Sequence, residues 1–146
     1  LCIREDPLST TQTICSVNGA KETFNSGAPV QIANFKETPR GDDKVAFTFD
    51  IIHRGTGKLY SQGSFCEDVI SNRNKVSVSI DTGMDGLECT GLTNGEITLY
   101  EGKRSVTCTQ SVASATGDFE KVIEIITEYD YAQSTLTHVL VKHSEG

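Results

Sequence analysis

The chain has 146 residues, the length of one ordinary domain, and a hydrophobic fraction of 36% with 13 Gly besides, which is globular composition and excludes a disordered chain. A formal charge of −7 opposes phosphate backbones and anionic lipid head groups, so nucleic acid is excluded as a partner. No apolar run reaches the ~18 residues of a membrane helix, so no membrane span is expected within this chain.

The apolar residues are mostly Val, Ile and Phe, set among 17 Thr and 13 Ser, a mixture that suits half-buried strands. Because residue 1 is Leu rather than Met, a preceding signal or anchor segment lost by processing or trimming is expected. Residues 1–28 read as an N-terminal leader. Cys2 and Cys15 bracket its turn-rich opening, Glu5-Asp6-Pro7 and the Ser-Thr run, and a disulfide between them would clip the leader to the body, where it is a candidate donor strand for a neighbouring copy.

Residues 29–146 read as a single β domain. Pro29 to Phe35 alternates Val30 and Ile32 with polar residues and ends in the turn Pro39-Arg40-Gly41-Asp42-Asp43. Val45, Phe47, Phe49 and Ile51 then share one face of a strand whose other face carries Ala46, Thr48 and Asp50. Gly55 and Gly57 mark a bend before a short strand in Lys58 to Gln62, and Val76, Val78 and Ile80 form another. Glu96 to Tyr100 and Ser105 to Thr109 flank Glu101-Gly102-Lys103-Arg104, which predicts an antiparallel hairpin. Val122 to Tyr131 is apolar on both parities, as in a strand buried on both sides or a long one passing between sheets, and Leu136 to Lys142 predicts the closing strand. The expected fold is all-β: an immunoglobulin-like antiparallel β-sandwich of roughly eight strands, stapled by disulfides.

Five cysteines without a CxxC motif, and without His at ligand intervals, point away from zinc and towards disulfides formed in an oxidising compartment. Cys89 and Cys108 lie in similar contexts, Leu-Glu-Cys-Thr and Val-Thr-Cys-Thr, and would staple neighbouring strands; each bridge is worth about 3 kcal/mol. Cys66 is then unpaired and expected as a buried thiol, with pairing to Cys89 or Cys15 left open.

Ile80-Asp81-Thr82-Gly83 resembles an aspartic-protease motif, in which two carboxylates share a proton, so a homodimer would have to supply the second. The chain has no second Asp-Thr/Ser-Gly, and Met84 follows where a small residue is usual; a strand end running into a Gly turn explains the run. Asp42-Asp43 and Asp81 with Asp85 lack the regular acidic spacing of a calcium loop. His53, His138 and His143 are scattered, with no nucleophile placed beside them. No catalytic residue, metal site or cofactor is therefore expected. Tyr129-Asp130-Tyr131 offers two aromatic faces and a charge as a candidate binding patch; Glu120, Glu124 and Glu128 should form a negative stripe, with Arg73, Lys75, Lys103 and Arg104 as its basic counterpart on a neighbouring copy.

The segment Lys44-Val45-Ala46-Phe47-Thr48-Phe49-Asp50-Ile51-Ile52-His53-Arg54-Gly55-Thr56-Gly57 resembles the strand-then-Gly pattern of archaeal cell-surface adhesion modules of the CARDB type. The wider stretch from Gly27-Ala28-Pro29-Val30 through Glu37-Thr38-Pro39 to Thr107-Cys108-Thr109-Gln110 and the Tyr-Asp-Tyr is similar to uncharacterised membrane-anchored surface proteins of archaea. This resemblance implies an Ig-like sandwich at the cell surface and carries over no catalytic residue.

The expected function is thus a non-enzymatic extracellular structural or adhesive module, a subunit of a filament or coat built by β-strand addition, whose partners are other copies or a cell-surface component. The alternatives are a monomeric protein- or glycan-binding surface domain and a homodimeric aspartic protease using Asp81.

Overall fold

A computed structural model describes residues 1–9 and 14–142; His143 and residues 10–13 of the Ser-Thr run lie outside these. Among the described residues there are twelve strands, one single-turn 3-10 helix at Ile70–Asn72 and no α-helix. In chain order the strands are β1 (Cys2–Ile3), β2 (Gly19–Ala20), β3 (Val30–Pro39), β4 (Lys44–His53), β5 (Lys58–Tyr60), β6 (Lys75–Asp81), β7 (Leu87–Thr90), β8 (Glu96–Thr98), β9 (Lys103–Ser111), β10 (Phe119–Glu120), β11 (Glu124–Glu128) and β12 (Asp130–Ala132). The count exceeds the expected eight because several elements are two or three residues long, too short to alternate visibly in sequence.

Every ladder is antiparallel. A five-stranded sheet runs β2-β3-β4-β9-β7 and a three-stranded one β11-β6-β8, with two-stranded ladders β12-β5 and β1-β10 at the margins. The alternation read at Val45 to Ile51 places β4 at the centre of the larger sheet, and Val45, Phe47, Phe49 and Ile51 are at most 1% exposed. Phe35, Phe47 and Phe49 stack with ring centroids 5.3–6.4 Å apart. Val76, Val78, Ile97 and Leu99 from the smaller sheet and its margin share this core, so the two sheets bury a common interior, as in a sandwich. Each such side chain contributes about 2 kcal/mol on burial.

The leader is built into the body. Cys2, Ile3 and Val17 form a second buried cluster with Val45 and Val112, β1 pairs with β10, and β2 pairs with β3. Two disulfides join Cys2 to Cys15 and Cys89 to Cys108; the latter two stand directly opposite each other in the β7-β9 ladder.

Three elements differ from the sequence-based expectation. The segments flanking residues 101–104 do not form a hairpin ladder with each other. Glu101 and Gly102 have φ of 52° and 76° and close a tight turn, but only Tyr100 and Lys103 bridge it. Beyond it β8 pairs with β6 while β9 lies between β4 and β7, so the turn is a corner where the chain changes sheets. Ile97 and Leu99 thereby enter the core from one side and Val106 and Cys108 from the other.

Val122 to Tyr131 is not buried on both faces. It divides into the end of an irregular stretch, β11 and β12, and in β11 exposed residues alternate with half-buried ones because this is an edge strand paired only with β6. The segment Leu136 to Lys142 forms no strand and is exposed throughout, since no edge among the described residues receives it.

One irregularity helps to position the site. Asn34, at φ 54°, forms a bulge between Ala33 and Lys36 that shifts the register of β3 against β4. Val30 and Ile32 are core-facing before it and Phe35 and Glu37 after it, so the inward parity of β3 changes midway.

Candidate functional site: a groove between two sheet edges

The bulge in β3 and the one-sided pairing of β11 leave a groove of about 670 Å³ along one flank of the sandwich. Val30, Ile32 and Phe35 of β3 form one wall and Ile123, Ile125 and Thr127 the other. All but Thr127 also pack against the main core, so the groove is a strip of the interior left open to solvent.

Both edges are incompletely paired. On β3, β2 covers only Lys36 and Glu37, and the Lys21 amide donates to the Phe35 carbonyl at 2.9 Å. Further along, the Asn25 side chain substitutes for a strand: its Oδ1 accepts the Ile32 amide and its Nδ2 donates to the Ile32 carbonyl, both at 2.7 Å. On the opposite edge, the Leu1 ammonium donates to the Lys121 carbonyl at 2.8 Å and the Lys121 amide to the Leu1 carbonyl at 2.7 Å, extending the β1-β10 ladder by one residue. From Val122 to Glu128, on the side away from β6, that edge meets no further strand among the described residues. Unpaired edge groups beside an apolar floor are what an incoming extended segment requires, with main-chain bonds for affinity and alternate side-chain seats for register.

The outer face of this edge carries the predicted negative stripe. Glu120, Glu124 and Glu128 are exposed, interleaved with Val122 at 92% and Ile126 at 42% exposure. The proposed basic counterparts are each engaged within the chain: Arg73 with Asp68 at 2.7 Å, Lys75 with Glu96 at 3.7 Å, Lys103 with Asp50 at 3.2 Å, and Arg104 over the Tyr100 ring.

The Tyr129-Asp130-Tyr131 triplet is occupied internally. The Tyr129 hydroxyl accepts the Val30 amide at 3.4 Å, and the Tyr131 hydroxyl accepts the Gly57 amide at 2.6 Å and lies 3.4 Å from His53 Nε2. The Asp130 carboxylate accepts the amides of Gly63 and Phe65, ordering the loop that holds Cys66. Cys66 carries a free thiol that is half-buried rather than fully enclosed, next to Phe65 at 93% exposure.

The Asp-Thr-Gly run is a structural turn. The exposed Asp81 carboxylate accepts the Gly83 amide at 2.8 Å, and the buried Thr82 hydroxyl donates to Gln110 Oε1 at 2.7 Å, while Gln110 Nε2 donates to the Asp85 carbonyl at 2.7 Å. His138 is exposed on the C-terminal segment. Among the described residues no three of His, Cys, Asp and Glu are grouped to hold a metal ion, and no helix is long and apolar enough to cross a membrane.

The chain matches no protein-family model, no curated protein and no solved structure.

Sequence reading missed Glu37, a fully buried carboxylate behind the groove. Its Oε1 accepts the Cys2 amide at 2.7 Å and lies 3.7 Å from Lys21 Nζ, while Oε2 has no hydrogen-bond partner. Burial pushes its pKa up to about 7, with the Cys2 amide, the N-terminal ammonium and the Lys21 charge opposing. Its place two residues after Phe35 was the available signal, hidden by the parity change at the bulge. The groove gave no sequence signal, because an unpaired edge is defined by the strand that is missing.

Proposed function

We propose that the chain is a non-enzymatic structural or adhesive module that works outside the cytoplasm and joins other protein chains by β-strand addition at the groove. The observation that carries this is the unpaired edge from Val122 to Glu128 beside an apolar wall of Ile123 and Ile125. An open edge next to core residues is a liability in an isolated domain and a docking site in an assembling one. Two disulfides support an oxidising compartment, where such bonds persist. A cell-surface place is also what the resemblance to CARDB-type modules implies, and a filament or coat is the assembly that repeated strand addition generates.

Light scattering across a concentration series, with electron microscopy of the same samples, tests this. Growth of oligomers or fibres with concentration is expected; a monomer throughout overturns it.

A second reading, a monomeric domain binding a protein or glycan through a loop, is favoured by the exposed Phe65, Val69 and Ile70 on the 61–74 loop rather than by the internally bonded tyrosines. Glycan-array binding lost on Phe65→Ser would support its carbohydrate form, and a silent array would remove that form.

A further inference from the structure

We infer that the strand received by the groove is the C-terminal segment Thr135–Leu140 of a second copy of this chain, an assignment that rests on the strand-addition reading above. Leu136, Val139, Leu140 and Val141 are 78–94% exposed, an apolar density out of place on a solvated tail. Residues 133–142 contain no Gly, Pro, Asp or Glu and are rich in Thr, Val and Leu, the composition of a strand. None of them lines the groove of their own chain. The leader, the donor expected from sequence, is already engaged at home through β1 and β2.

The two patterns complement each other. Val122, just before β11 and lining the mouth of the groove, and Glu124 and Ile126 on the exposed parity of β11 alternate apolar and acidic; along one parity of the tail, Leu136, His138 and Leu140 place an imidazole between two apolar side chains. Antiparallel pairing that sets His138 opposite Glu124 also sets Leu136 opposite Ile126 and Leu140 opposite Val122. The other parity then turns Thr135, Thr137 and Val139 into the groove opposite Thr127, Ile125 and Ile123. This accounts for a tail that is apolar on both parities and for the exposure of Val122, since a single inserted strand covers both.

The same register excludes the chain's own tail. Residue 134 would stand opposite Glu128, leaving 129–133 as the connecting loop, yet Asp130–Ala132 of that loop is β12, paired with β5. A parallel insertion would need a crossover of about a dozen residues, more than the segment between β11 and Thr135 provides. A second copy meets neither obstacle. Donor and acceptor surfaces differ, so the contact is heterologous and propagates head to tail.

The test uses two full-length variants altered only at edge or tail positions. Leu136→Asp with Leu140→Asp gives a chain that accepts but cannot donate; Val122→Asp with Ile126→Asp gives one that donates but cannot accept. Each alone is expected to associate at least about a hundredfold more weakly than the parent, from the loss of two buried apolar contacts. Mixed, they should form a one-to-one heterodimer that grows no further. If the parent assembles and the tail variant assembles equally well, the tail is not the donor and strand addition survives. If both variants are monomeric and their mixture stays so, the head-to-tail contact is overturned. A parent that never assembles removes the strand-addition reading together with this one.

Discussion

Glu37 Oε1 accepts the backbone amide of Cys2 at 2.7 Å, across 35 residues of sequence and with no solvent exposure at the carboxylate. This bond ties the leader to the later half of β3 and places a titratable group inside the molecule, which makes stability depend on pH. With a folded value near 7 against 4.5 for an unperturbed glutamate, the folded chain retains the proton that the unfolded chain releases. The associated stability is complete below about pH 4.5 and is lost as pH rises to about 7, a change of up to about 3 kcal/mol. Urea unfolding between pH 4 and 8 should show this decline, and Glu37→Gln should flatten it and exceed the parent at pH 8. Parallel curves for the two proteins would show that Glu37 is not responsible.

The disulfide pattern predicts a simple thiol count. Alkylation of the native protein should label Cys66 alone, with all five cysteines labelled after reduction and unfolding. Replacing Cys89 and Cys108 together by Ser should lower stability by about 3 kcal/mol, the value expected for a loop of this size. Peptide mapping by mass spectrometry under non-reducing conditions reads the first outcome and the denaturation midpoint the second.

Gly57 is fixed by Tyr131. A Cβ at position 57 would lie 2.5 Å from the Ala132 carbonyl oxygen and 2.6 Å from Tyr131 Cζ, neither free to retreat without breaking the β12-β5 ladder. Gly57→Ala should therefore cost about 1–3 kcal/mol through overpacking. Tyr131→Phe leaves the Gly57 amide without its acceptor and should cost about 1–2 kcal/mol, with faster exchange of that amide hydrogen as the local signature.

Phe47 stacks against both Phe35 and Phe49 at 1% exposure, so Phe47→Ala should cost about 3–5 kcal/mol, measurable as a fall in the denaturation midpoint at unchanged slope. Thr48→Ala on the opposite face of the same strand should change stability far less, since Thr48 is only half-buried.

Particular residues show what was legible. Val45 to Ile51 declared its strand, its buried face and its centrality, because alternation records burial directly. Context and spacing favoured Cys2 with Cys15 and Cys89 with Cys108 but left Cys66 as a rival partner, and only the packed strands settled the pairs. The Glu101-Gly102 turn was legible as a turn, but the partners of its two arms were not, since local chemistry sets the reversal and distant apolar surfaces choose the sheets. Tyr129 and Tyr131 read as a pair of aromatic faces, while the bonds of their hydroxyls to the Val30 and Gly57 amides, made across 99 and 74 residues, had no local signal.

By itself the sequence determined that this is a disulfide-bearing all-β chain, because period-two patterning, composition and cysteine usage are properties of short stretches and need no knowledge of neighbours. Only the tertiary structure decided that β11 is an edge, that a groove opens beside it, that Glu37 is enclosed and that the C-terminal segment is left without a partner in its own chain. Each depends on which strands meet across long separations, and that choice belongs to the burial of the whole interior rather than to any one segment.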